Sequence, residues 1–190
     1  MDSFERSIEA SLACLRRGGV ILYPTDTVWG IGCDATNRES VDRIYRLKRR
    51  PDTKSMIILI ADARDLLTYT AGAHPGMTDY LDSATRPTTV IYDHALGLPQ
   101  NLVSADGSIA IRLVKERFCR TLIKRLGAPL VSTSANLSGQ PAARIYPEIS
   151  ADIVSGVDYV AEYRRDDATL AAPSRIIRVA PDGTMSVIRD

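Results

Sequence analysis

Four cations crowd the segment LKRRPDTK: Lys48, Arg49, Arg50 and Lys54 fall within seven residues of one another. They stand just before an apolar run, Met56 to Ile60. A strand flanked by positive charge at one end suits an anion such as phosphate or carboxylate. The same charges also suit a solvated helix end, where they complement the negative end of the dipole. Spacing sets one of them apart. Val41, Ile44 and Tyr45 form an apolar stripe at helical spacing, and Lys48 is its next member. A lysine there sits at the lip of the core and projects along the protein.

Two further segments carry polar groups that chemistry can use. Pro24 opens Thr25-Asp26-Thr27 directly after an apolar run, and Gly30 and Gly32 follow, where close backbone turns are easy. The segment Ser132-Thr133-Ser134-Ala135-Asn136-Leu137-Ser138-Gly139 is rich in hydroxyls and amides. Such groups make turns and caps, and after a strand they also make a cradle for phosphate or carboxylate. Arg112 stands in mid-strand within SIAIRLV, opposite Ile109, Ile111 and Leu113. It faces solvent or a cleft, and the alternation by itself favours solvent. No Ser/His/Asp or Cys/His constellation suggests a protein nucleophile. Neither standard glycine-rich phosphate loop, GxxxxGK[ST] or GxGxxG, is present.

The elements that position these groups alternate between helix and strand. Residues 3 to 17 read as a helix that Gly18 stops, and Val20 to Tyr23 as a strand. A helix over 37 to 49 starts at a capping box of Thr36 and Glu39 and ends before Pro51. Strands follow at 56–60, 88–92, 108–114, 130–132 and 175–179, with a short one at 157–161. Helices fall at 62–70, after Pro75, at 115–126 and at 147–154. Residues 93 to 107 and 164 to 172 read as loops. Asp182-Gly183 turns the chain into a final hairpin over 185–188. No repeat or linker divides the 190 residues, so one α/β domain over 1–190 with a mixed sheet is expected.

Composition narrows the partners. The net charge of +1 makes any nucleic-acid affinity local, through Arg43, Arg46, Lys48, Arg49, Arg50 and Lys54. Cys14, Cys33 and Cys119 form neither a CxxC pair nor a metal-ligand pattern, and read as reduced buried thiols of a cytoplasmic protein. Two histidines exclude a histidine-rich metal site. The start, MDSFERSIEA, is unlike a signal peptide, and the apolar runs are strand-sized, so no membrane partner is expected.

YPTDTVWGIG, LKRRPDTK, IAIR and STSANLSG, in this order and spacing, resemble the YrdC family over about residues 5 to 178. The resemblance is to the short form, without the extra C-terminal domain of the long one. It implies a twisted mixed parallel/antiparallel sheet with flanking helices and a positively charged concave face. It also implies a nucleotidyltransferase reaction: L-threonine, bicarbonate (or CO2) and ATP give L-threonylcarbamoyl-adenylate and pyrophosphate. ATP would bring Mg2+ on its phosphates, with no metal ligand assigned to the protein. The product feeds threonylcarbamoyladenosine formation in tRNA through a separate transferase complex, and direct tRNA contact is possible.

Residue by residue, the resemblance makes Thr27 a threonine contact and Arg112 a clamp on the substrate carboxylate. Lys48 and Arg50 become the KxR pair, the catalytic cations, with Lys54 beside them on the nucleotide phosphates. Ser108 lies near the nucleotide, and Ser132, Ser134 and Asn136 line the same cavity. Arg144 and Ser174 are further nucleotide contacts. Thr27 and Ser134 are candidates to bond the threonine hydroxyl and so reject valine. Two departures stand out. Leu59 occupies a position where many relatives carry histidine, and Ser174-Arg175 replaces Ser-Thr. Two other readings exist: an RNA-binding module without catalysis, and a carbamoyl-adenylate enzyme of the kind that matures hydrogenases. The latter sits in longer chains with zinc-finger cysteines.

Overall fold

The computed structural model describes residues 2–51, 56–180 and 182–190. Among them, nine strands form one sheet: β1 (Ile21–Tyr23), β2 (Gly30–Gly32), β3 (Ile57–Ile60), β4 (Thr88–Tyr92), β5 (Ile109–Leu113), β6 (Leu130–Ser134), β7 (Tyr159–Val160), β8 (Arg175–Val179) and β9 (Met185–Arg189). Their order across the sheet is β7-β1-β2-β6-β3-β5-β4-β8-β9. β1 with β7, β3 with β5 and β4 with β8 are parallel, and the other neighbours are antiparallel. The sheet is mixed, as the pattern of helices, strands and a hairpin implies.

The helices are α1 (Ser3–Arg16), α2 (Arg38–Lys48), α3 (Leu66–Tyr69), α4 (Met77–Ser83), α5 (Arg117–Leu126) and α6 (Ala151–Gly156). Short 3-10 turns at Ala63–Asp65 and Tyr146–Glu148 precede α3 and α6, so the helices expected over 62–70 and 147–154 each split in two. None of the helices is long and apolar enough to cross a membrane. The three cysteines are buried and free.

Strand alternation sends apolar side chains to both faces. Ile58, Ile60, Val90, Ile109 and Ile111 pack with Val41 and Ile44 of α2, Leu81 of α4 and Ile153 of α6. Ile21, Tyr23, Leu59 and Leu130 pack on the other face with Ile8, Leu12 and Leu15 of α1 and Phe118 and Leu122 of α5. The register then carries this second face beyond that apolar patch. One row across the strands reads Leu130, Leu59, Arg112, Thr89, Ile176, and the next reads Ser132, Ile57, Ala110, Ile91. The first two members of the first row belong to the apolar cluster, while Arg112, Thr89 and the second row line a cavity.

That row corrects the expectation for Arg112. Alternation does place it opposite the isoleucines, but β5 is a central strand whose second face is also enclosed. Arg112 is only 3% exposed. Leu59, its neighbour in the row, is fully buried in the α1/α5 cluster.

Two local expectations also change. The start of α2 is capped by Asn37, whose Oδ1 accepts the Ser40 N–H at 3.1 Å. Thr36 lies one residue before the cap and donates its hydroxyl to Asp34 Oδ1 at 2.7 Å. Gly30–Gly32, where a close backbone turn is expected, form strand β2. The Tyr23 hydroxyl donates to Val131 O at 3.1 Å. A Cβ on Gly32 would lie 2.2 Å from Val131 O and 2.7 Å from Tyr23 Cε1. Glycine is required there by close approach and not by a turn. β6 runs two residues further than expected, because Gly30 and Ile31 pair with Ser134 and Thr133.

Candidate active site

The cavity on the second face has a volume of about 340 Å³. It is bordered by the turn between β1 and β2, by the end of β6, and by β4, β5 and the β8–β9 hairpin. Three guanidinium groups line it, from Arg50, Arg112 and Arg189, and no described carboxylate residue does.

In the turn after β1, hydrogen bonds have a fixed direction. Thr25 Oγ1 donates to Val28 O at 2.9 Å and accepts the Thr27 N–H at 2.9 Å. The Thr25 and Thr27 hydroxyl oxygens are 3.0 Å apart. Thr25 has spent its one proton on Val28, so Thr27 donates to Thr25. Arg112 Nη1 in turn donates to Thr27 Oγ1 at 3.1 Å. Thr27 therefore retains only acceptor capacity toward a ligand. Arg112 Nη2 lies 3.2 Å from Asp26 Oδ1. Its Nε is buried without a hydrogen-bond partner among the described residues.

Lys48 is 1% exposed and does not line the cavity. It lies deeper than the lip of the core expected for it. Its ammonium donates to Ser134 O, and to Asn136 O at 2.6 Å. Ser138 N–H donates to Lys48 O at 2.9 Å. Side chain and backbone thus staple the hydroxyl-rich segment to the end of α2. Burial, and secondarily the charge of Arg50, lowers the Lys48 ammonium to about 7. The two carbonyls pull the other way by favouring its protonated form. Arg50, two residues on, does line the cavity, and burial lowers its guanidinium from the ordinary value.

The other expected residues divide. Ser132, Ser134 and Ser174 line the cavity beside Thr27, Arg50 and Arg112. Ser108 does not; it donates to Asp106 Oδ1 at 2.6 Å just before β5. Asn136 sits in a separate recess with Gln140 and Glu148, its Nδ2 donating to Leu137 O and Gln140 O. Arg144 is exposed, 3.8 Å from Glu148, at a small recess that shares Thr27 and Trp29 with the main cavity. Lys54 lies outside the described residues.

Sequence reading missed Trp29, Thr89 and Arg189. Trp29 stacks at a tilt on Tyr146, with ring centroids 5.0 Å apart. Thr89 and Ser174 share a hydroxyl contact of 2.9 Å. Arg189 donates twice to Ser174 O, at 3.2 and 2.7 Å, and burial, with Arg112 nearby, lowers its guanidinium. Thr89 was not open to detection, because only its cross-strand pairing with Arg112 marks it. Nor was Arg189, because a register shift between Ile176 and Ile177 separates the ends of its hairpin.

Residues 13–190 match the family model for Sua5, YciO and YrdC proteins, described as "Telomere recombination". The chain belongs to the Sua5/YciO/YrdC family. A threonylcarbamoyl-AMP synthase of Pseudoalteromonas translucida is 34% identical over 160 residues, covering 83% of this chain and 86% of that one. E. coli YciO superposes with a TM-score of 0.83 at 25% identity, covering 97% of this chain and 89% of that one. P. abyssi Sua5, solved in complex with L-threonine, shares the fold with a TM-score of 0.85 at 20% identity. The match covers all of this chain and 54% of that longer one. The end of α2 and the Ser134–Asn136 segment lie side by side, joined by the Lys48 ammonium.

Proposed function

We propose that this protein forms L-threonylcarbamoyl-adenylate from L-threonine, bicarbonate and ATP, releasing pyrophosphate. The relatives named threonylcarbamoyl-AMP synthase support this reading. Within the molecule, one observation carries it: the buried Arg112–Thr27 pair shares with Arg50 and Arg189 a cavity that no carboxylate among the described residues lines. Such a lining suits two anions that repel each other and must be held together, an amino-acid carboxylate and a nucleotide.

In the first step the threonine amine takes up bicarbonate and loses water, giving an N-carboxylate. An oxygen of that carboxylate then attacks the α-phosphate, and pyrophosphate leaves. No protein nucleophile is needed. Arg112 takes the substrate carboxylate. Thr27, which can only accept, takes the ammonium or hydroxyl of L-threonine. Arg50, Lys54, Ser132, Ser134 and Ser174 face the nucleotide, and the cationic lining is the floor of the positively charged concave face. Magnesium arrives on the triphosphate as part of the ATP substrate. Lys48 acts by holding the Ser134–Asn136 backbone in place. The product passes to the transferase that modifies tRNA, in the cytoplasm.

Pyrophosphate release from ATP and magnesium, with L-threonine and bicarbonate omitted in turn, tests the reading. Release that needs both supports it. No ATP cleavage under any combination would reject it in favour of an RNA-binding module.

A further inference from the structure

The turn residue Asp26 has a role that neither the motif nor the proposed reaction assigns. We infer that Asp26 is a positioning residue for L-threonine, acting through Arg112; this rests on the reading of Arg112 as the substrate-carboxylate clamp. Arg112 is a cation enclosed on a central strand, 3% exposed. Of the groups that touch it, Thr27 is neutral and Asp26 carries the only negative charge among the described residues. Arg189, the other charge near it, is a cation.

The geometry fixes the guanidinium from two sides. Nη1 bonds Thr27 Oγ1 at 3.1 Å, and Nη2 forms an ion pair with Asp26 Oδ1 at 3.2 Å, an oxygen that accepts no hydrogen bond among the described residues. A hydrogen bond at one terminal nitrogen and an ion pair at the other orient the planar fork, and its remaining donors are left for a carboxylate. Asp26 is itself anchored from the segment just after the strand that carries Arg112, since Lys115 N–H donates to Oδ2 at 3.3 Å. Arg112 and the Lys115 N–H that anchors Asp26 are thus three residues apart, and Asp26 itself sits in the β1–β2 turn. An unpaired buried cation would accept any small anion in any pose. Asp26 offsets that charge and leaves Arg112 selective for a ligand whose carboxylate and donor groups fit Thr27 at the same time.

Asp26→Asn, Asp26→Glu and Arg112→Lys separate this role from bulk stability. In the pyrophosphate assay, Asp26→Asn raises KM for L-threonine about tenfold or more and KM for ATP less than about twofold. Asp26→Glu recovers part of the loss, and the Asn change has little further effect in the Arg112→Lys background. Calorimetric titration of L-threonine gives the same ranking without turnover. Equal loss for threonine and ATP, or no rescue by Glu, overturns the inference. So does unchanged or tighter threonine binding by Asp26→Asn, which would mean that the carboxylate merely repels the substrate. If the unmodified protein binds L-threonine without releasing pyrophosphate, the proposed reaction fails and calorimetry alone judges Asp26. If it does neither, both fall.

Discussion

Because Thr25 gives its proton to Val28 O, the polarity of the Thr27 hydroxyl is set before any ligand arrives. Thr27→Val removes the one remaining acceptor and strands Arg112 Nη1, so KM for L-threonine should rise roughly tenfold or more while KM for ATP holds. Thr27→Ser should stay within a fewfold of the parent; equal losses in the two variants would show that the methyl, not the oxygen, matters. Lys48 makes a prediction in pH. Its ammonium is lowered to about 7 in the fold, against 10.5 for a free lysine. Between those values the unfolded chain binds a proton that the folded one does not, so raising pH favours folding. From pH 7 to 8.5 the stability of the parent relative to Lys48→Met should therefore rise by about 1–2 kcal/mol, read from urea melts. A flat difference would mean that the two carbonyls keep the ammonium charged throughout. The cavity residues Thr27, Arg50, Arg112, Ser132 and Ser134 were legible because each sits in a motif, and Ser174 through the family resemblance alone. Asp26, Thr89 and Arg189 were not, because what marks them is a contact across strands.

At the scale of elements, strands and helices follow alternation and 3.6-residue spacing closely, and the misses have steric causes. β2 has no alternating pattern, since two of its three residues are glycine. What makes it a strand is the Tyr23 ring lying against it, which sequence spacing does not reveal. Gly32→Ala forces a Cβ to 2.2 Å from a backbone oxygen, and neither that carbonyl nor the Tyr23 ring can give way cheaply. It should cost about 3 kcal/mol or more and disturb β6 around Val131. Gly127→Ala is the control. Gly127 has φ +76 and nothing within 4 Å, so it should cost only about 1–2 kcal/mol from the left-handed backbone. Urea midpoints for the two variants measure the gap; similar values would show that β1 and β2 separate easily.

At the scale of the molecule, the cavity lies across the middle of the sheet. β6 and the β1–β2 turn supply one wall, and β4, β5 and the β8–β9 hairpin supply the other. Neither half holds a complete site, so ligand binding and folding of the whole sheet are linked. A ligand at about 100 times its Kd stabilises the folded state by about 2.7 kcal/mol. For a chain of this size each kcal/mol moves Tm by about 2–4 °C, so saturation should raise Tm by about 5–10 °C. L-threonine with a non-hydrolysable ATP analogue should shift the melt more than either alone, in a single transition, because both would contact walls that meet only in the intact sheet. Arg112→Lys should remove most of the threonine increment and leave the nucleotide increment in place. Arg189 reaches the cavity from an edge strand whose five residues, Arg189 included, are exposed, and it holds Ser174 O from there. Arg189→Met should thus reduce the nucleotide increment without moving that of threonine. Two separate melting transitions, or increments lost together in every variant, would mean that the two walls do not serve two different ligands.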